Sequence, residues 1–273
     1  MLISRSPALL LIAYGSCNTG GLAALRRFEA RVRANWPGMP VRWAYTSLHI
    51  RARLATQARL KSDSVVKALR RLALERYGPI AAQPLQIVPA TENESVEELA
   101  RLVAEETGVH VQVGAPLLAC RRDLEESCEA MLGRIPAERL PDEDVVLMGH
   151  GAQHAAQARY DILSDMLAAR DGRVHLATMS GGVTIEHILP RLRSHRVWLM
   201  PFLSVVGKHT VSDMAGPQPG SWKSCIEAAG HECAPVIAGA IEYDGFADIW
   251  MRHLAAAIAD LGIAPPRPVG GQE

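Results

Sequence analysis

The chain has 273 residues, 48% of them hydrophobic, and its 29 basic and 29 acidic side chains cancel. That length suits one large domain or two of ordinary size, and the apolar share supports a substantial core and excludes wholesale disorder. Zero formal charge argues against a broad nucleic-acid footprint or a membrane-surface protein, though not against a local basic pocket.

The five cysteines (Cys17, Cys120, Cys128, Cys225, Cys233) are odd in number and form no C-x-x-C pair, which argues against a zinc ribbon or disulfide framework. Reduced thiols in a cytoplasm are the simpler expectation. No apolar run approaches the ~20 residues needed to span a bilayer, so no membrane partner is expected. The opening MLISRSPALLLIAYGS has no small-residue cleavage site and runs straight into a strand pattern. It reads as mature protein, not a signal peptide.

In chain order, ALLLIAYGS (8–16) reads as a buried strand, followed by a helix over roughly 21–35 and a strand at 41–47. Ser62 or Asp63 is placed to cap a helix over SVVKALRRLALERYG, with Gly78 as its terminator. PLQIVPA (84–90) then reads as a strand, ESVEELARLVAEETG as a helix and VHVQVGAPLL as a strand. The strands are apolar throughout, as in a parallel sheet covered by helices on both faces.

GRIPAERLPDEDV (133–145) resembles a linker, after which the alternation resumes. Strands are expected at 144–149, 173–178 and 196–203, with helices over 153–169 and 184–194. Helices near 208–215 and 220–229, a strand near 233–238, a helix near 245–261 and a loose tail complete the chain. The halves echo one another. LLLIAYGS matches VVLMGHGA, which pairs Tyr14 with His150, and LQIVPATE resembles VWLMPFLSVVGKH. The expected architecture is therefore α/β: two similar lobes, 1–136 and 144–262, each a mostly parallel sheet flanked by helices, with a cleft between them.

Ligands in such sheets sit beyond the carboxyl ends of the strands. His150 stands there between Gly149 and Gly151, which leave the backbone open to a flat or bulky ligand. A turn histidine bonded locally is the plainer alternative. His154 follows one turn on. His209, just after a strand and a glycine, is a second strand-end imidazole, although a solvent-facing helix-start histidine has the same appearance. Imidazole suits Co, Ni, Fe or Zn, and accepts a proton near neutral pH. AYGSCNTGG can offer backbone N–H groups to an anion, but it matches neither the P-loop nor the dinucleotide fingerprint, so no nucleotide cofactor is expected. Spacing assigns no base to a Ser16 or Cys17 nucleophile. Thr46 and Ser47 place hydroxyls at a strand end, where capping the next helix is the ordinary role.

Taken in order, AYGS, YTSLHI, LQIVPATE, VGAPLL, MGHGAQH and GKHTVSDMAG…SWK resemble the anaerobic-pathway sirohydrochlorin cobaltochelatases, within the class II tetrapyrrole chelatase superfamily. The likeness spans roughly residues 7–258. It implies two lobes around a cleft, Co(II) as substrate metal and insertion into sirohydrochlorin in cobalamin biosynthesis. It also implies His150 and His209 as catalytic metal ligands, helped by a glutamate. That glutamate departs from the pattern: HLATMSGG has Thr178 and Met179 where the family carries it, and Glu186 lies too far into the next helix. Glu92 matches an acidic residue of the facing lobe and is the candidate third catalytic group; a helix N-terminal carboxylate favoured by the macrodipole is its alternative.

Metal insertion requires few enough protein ligands to release the ion, acceptance of two pyrrole protons, and a bent macrocycle. Tyr14, Ser16, Thr46, Ser47 and His154 are the candidate tetrapyrrole contacts, with Lys208 as a local cation. Two other readings keep the same cleft: an iron or nickel chelatase acting on a related tetrapyrrole, and a non-catalytic carrier that lost turnover with the glutamate. A homo-oligomer is left open.

Overall fold

A computed structural model describes residues 5–57, 59–88 and 91–263, the side chains at 91–95 and 154 excepted. The expected tail therefore lies outside the described residues. The first half runs β1 (Ser6–Ala13), α1 (Thr19–Asn35), β2 (Val41–Tyr45), α2 (Leu48–Gln57), α3 (Val65–Leu74), β3 (Tyr77–Pro84), α4 (Thr91–Thr107), β4 (Val111–Val113) and α5 (Arg121–Gly133). The second runs β5 (Asp144–Gly149), α6 (Gln157–Arg170), β6 (Val174–Thr178), α7 (Ile185–Ile188), β7 (Arg196–Phe202), a π-helix at His209–Met214, α8 (Trp222–Ala228), β8 (Glu232–Pro235) and α9 (Asp244–Asp260). All ladders are parallel, in the orders β2-β1-β3-β4 and β6-β5-β7-β8, so the two lobes share one topology.

The central strands are apolar on both faces for a reason that their period of two makes plain. Leu9 and Leu11 of β1, like Val145 and Leu147 of β5, point into a core shared by both lobes. Leu10 and Ile12 instead meet α3 and α4, and Val146 and Met148 meet the outer helices of the second lobe. The shared core is completed by α9, which packs on β3, β4 and α5 although it follows the second sheet in sequence. Its Trp250 is fully buried and donates from Nε1 to the Gln86 carbonyl at 3.3 Å.

Several expected elements move. The third strand is YGPIAAQP, not PLQIVPA; its backbone pairs with β1 and β4, and Ile87 and Val88 are buried in the loop beyond it. Gly78 therefore lies inside β3, and α3 ends at Leu74. Ser64, rather than Ser62 or Asp63, caps α3 by accepting from the Lys67 N–H. The 184–194 helix is a single α-turn followed by a 3₁₀ turn. Helices α2 and α5 had no counterpart in the periodicity.

Two buried carboxylates fasten the scaffold. Asp144 accepts from the Arg193 and Ser194 N–H groups at 2.8 and 2.9 Å and faces His175 Nε2 at 3.2 Å. Burial alone would raise its pKa, but these bonds outweigh that and hold it at about 2. Burial holds His175 below its usual value, so it donates to Asp144 as a neutral ring. Asp123 binds the Ala119 and Cys120 N–H groups, Arg252 and His253. Its burial too is outweighed, by His253, Cys120 and Arg252, and it stays well below the usual carboxylate range. Both pKa values are depressed on folding, so their stabilisation is present above the unfolded carboxylate value near ~3.9 and is lost as pH falls below it. Burial depresses the His175 pKa as well, so urea midpoints should begin to decline as pH falls below about 6.5 and drop more steeply between about pH 4 and pH 2. Asp144→Asn should remove about 2 kcal/mol at pH 7 and flatten the acid limb.

Candidate metal centre at the strand ends

The β5 register aligns Gly149 with Thr178 of β6 and Phe202 of β7, so the three strands end level. His150 is the first residue beyond that edge, and His209 opens the π-helix that follows β7. Their rings meet edge to face, 78° between planes, with centroids 5.4 Å apart. His150 is exposed and the His209 side chain is 40% exposed, so both are open to solvent. Nδ1 of His209 lies 2.6 Å from Asp213 Oδ2, and Nδ1 of His150 lies 3.4 Å from the Gly151 carbonyl.

The flanking glycines have a different reason from the one their sequence suggests. A Cβ on Gly149 would stand 2.8 Å from Tyr160 Cε1, and one on Gly151 would overlap the Ser180 carbonyl oxygen. Gly151 also sits at φ +86°, a left-handed conformation that side chains disfavour. The space beside the backbone is filled by the protein itself, which grips the turn and aims the imidazole.

The position expected to hold a glutamate offers no ligand. Thr178 is buried and donates from Oγ1 to the Val183 carbonyl at 3.3 Å, and Met179 packs on the outer core. Glu186 is bound by the Thr184 hydroxyl at the start of α7, which lowers its pKa. Among the described residues, no three His, Cys, Asp or Glu side chains gather as a metal cluster. Glu92 lies in the first turn of α4 and His154 opens a 3₁₀ turn, but both side chains lie outside the described residues.

The remaining candidate contacts lie in the first lobe. Tyr14 follows β1 and is 51% exposed. Ser16 has another role than ligand contact. It is buried, accepts from the Asn18 N–H and donates to the Val206 carbonyl at 2.7 Å, three residues before His209. A Cβ on neighbouring Gly21 would collide with that same carbonyl. Ser47 caps α2 by accepting from the Ile50 N–H at 3.2 Å, as the plainer reading held. Thr46 Oγ1 is buried with no partner among the described residues. Lys208 is exposed beside His209.

Burial reveals residues that the motifs did not. Ten large hydrophobics are left exposed among the described residues; Tyr14, Val183 and Ile237 lie between a strand's carboxyl end and the next helix, Leu48 opens α2 and Val211 lies in the π-helix. Asp213 was also missed, although its four-residue spacing from His209 is a helical pairing distance.

The two parallel α/β lobes have the fold of solved chelatases. The solved SirB of Bacillus subtilis with Fe3+ matches at a TM-score of 0.64 and 14% identity, over 93% of this chain and 97% of that one. CbiX, described as the terminal enzyme of siroheme biosynthesis in denitrifying bacteria, matches at 0.60 and 14%, over 92% and 99%. The chain belongs to the cobalt chelatase (CbiK) family, whose model matches residues 7–259. It is 48% identical to the sirohydrochlorin cobaltochelatase CbiKC of Nitratidesulfovibrio vulgaris, over 93% of this chain and 91% of that protein. It is 29% identical to the sirohydrochlorin cobaltochelatase of Salmonella typhimurium, over 92% and 96%.

If Gly151 is required by backbone packing, Gly151→Ala should destabilise the fold by more than ~1 kcal/mol in urea titration. It should also disturb the His150 ring. A variant as stable as the parent would refute that explanation.

Proposed function

We propose that this protein inserts Co(II) into sirohydrochlorin, holding the metal between His150 and His209 while the macrocycle lies in the cleft. The ring pair carries this reading, together with the family and the activity named for both relatives. Imidazole nitrogens bind such metals at about 2.1 Å, which puts a shared ion about 3.2 Å from each ring centre. Centroids 5.4 Å apart are closer than twice that distance, so one ion can lie within reach of both rings. Two neutral ligands hold the metal loosely enough to hand it on, and each imidazole can accept a pyrrole proton as the metal leaves it. The exposed Val183 and Ile237 side chains beyond their strands suit the faces of a macrocycle, and Lys208, the Tyr14 hydroxyl and His154 suit its carboxylates.

Internal symmetry supports Glu92 as the third group. Pro84 pairs with Ile12 as Pro201 pairs with Met148, so the two prolines are equivalent in the two lobes. Glu92 lies eight residues past Pro84, and His209 eight residues past Pro201. Glu92 is thus the facing lobe's counterpart of a metal ligand, and it supplies the negative charge that Thr178 and Met179 lack. The labour divides with the chain: 1–136 contributes Glu92 and Tyr14, and 144–262 contributes both histidines. Five free cysteines and no helix long enough to cross a membrane among the described residues accord with a cytoplasmic enzyme.

Mixed with sirohydrochlorin and Co(II), the protein should accelerate the absorbance change of metalation. His150→Ala and His209→Ala should each cut that acceleration by about 10²-fold or more, and Glu92→Gln should lower it while preserving the fold. Unchanged rates in both histidine variants would end the assignment. Parallel reactions with Fe(II) and Ni(II) test the metal, because geometry and supply set selectivity more than raw affinity. Stoichiometric binding without repeated turnover would instead identify a carrier.

A further inference from the structure

We propose that Asp213 is the positioning residue of this metal site, acting through His209; the proposal rests on His209 being a metal ligand. The π-helix at His209–Met214 closes with an Ala215 N–H to Thr210 carbonyl bond of 3.2 Å. Thr210 and Met214 are fully buried, so the segment is anchored along one stripe. His209 and Asp213, with the same four-residue spacing, form the neighbouring half-exposed stripe. Both ends of the His209–Asp213 contact are therefore carried on an anchored turn, and irregular turns of this kind recur at functional sites.

With a neutral ring 2.6 Å from an ionised carboxylate, one tautomer is favoured between Nδ1 and Oδ2. If Nδ1 held the ring's lone pair, it would face a carboxylate lone pair and repel it. The proton of the neutral ring therefore sits on Nδ1 and donates to Asp213, and Nε2 is left as the ring's single lone pair. This does three things for the proposed chemistry. It selects the metal-binding tautomer in advance, fixes the ring's direction so that little rotamer freedom is lost on binding, and makes Nε2 more electron-rich. It also brings a carboxylate charge to the metal indirectly, through the imidazole, where Thr178 and Met179 bring none. Among the described residues, the hydrogen-bond contact of the His150 ring is the longer one to the Gly151 carbonyl, so the two ligands are unequal. His209 is the anchored one and His150 the more easily released.

The test measures Co(II) binding to the full chain without tetrapyrrole, read from the visible absorption of the bound ion. Asp213→Ala should weaken binding by about 10–100-fold, and Asp213→Asn, which can still accept from Nδ1 but carries no charge, should fall between it and the parent. In ¹⁵N spectra of the metal-free protein, the His209 ring, assigned by its loss in His209→Ala, should be an Nδ1–H tautomer in the parent and a mixture in Asp213→Ala. In a His209→Ala background, Asp213→Ala should add little, because its effect passes through the ring. An unchanged affinity and tautomer in a folded Asp213→Ala would overturn the proposal, even if the melting temperature falls. An equal loss with and without His209 would overturn it too, since Asp213 would then act directly on the ion. If His209→Ala itself leaves Co(II) binding intact, the site assignment fails along with the proposal.

Discussion

Every strand of both sheets runs in the same direction as its neighbours, so each sheet has one edge where all its carboxyl ends emerge. The parallel register at β5 decides how level that edge is: Gly149 stands beside Thr178 and Phe202, and whatever follows these residues begins at a common height. His150 needs no loop to reach the edge. His209 arrives after six loop residues, at the start of a π-turn, and its position depends on what holds that loop. Ser16 does so from the other lobe, through a hydroxyl bonded to the Val206 carbonyl. The histidine pair is thus set by one sheet's register and by the bonds that hold this loop: Ser16 reaches Val206 across 190 positions, and the Ala240 and Ile241 N–H groups bind the Leu203 and Ser204 carbonyls.

Close packing of backbone recurs wherever the cleft is built. Gly149 and Gly151 admit Tyr160 and the Ser180 carbonyl, and Gly21 admits the Val206 carbonyl. At these places a methyl group would push apart the walls that carry the imidazoles. The glycine-rich turns at the carboxyl ends of β1 and β5 therefore serve rigidity, and openness to ligand comes from the side chains at the rim. Such preorganisation matters for a metal handed from protein to macrocycle, since a wandering ring would hold the ion poorly or release it late.

Charge is distributed with the same economy. The buried carboxylates Asp123 and Asp144 are saturated by hydrogen bonds and serve the scaffold, while the strand-end positions Thr178 and Met179 are uncharged. A divalent ion bound by two neutral rings alone would keep its full charge. Asp213 behind His209 and Glu92 across the cleft are the two groups that compensate it in the function proposed above. One acts through a bond visible in the structure, the other through its equivalent place in the repeated fold.

Local pattern was enough to read six of the eight strands to within a few residues, the duplicated topology and the two histidines at strand ends, because a buried strand and a glycine turn are written in short stretches of chain. It failed at β3, where Gly78, two prolines and Gln83 hide a strand while LQIV imitates one. It failed at α5, whose Arg121–Glu125 and Arg122–Glu126 pairs sit on a sequence with few apolar residues. Nor does any short stretch state that Ser16 reaches Val206, that α9 returns to the first lobe, or that the rings stop 5.4 Å apart. Those outcomes arise from how two sheets and their shared core pack against each other. By itself the sequence determined which residues stand at the strand ends; only tertiary packing decided which of them meet, because distances across a cleft belong to no local segment.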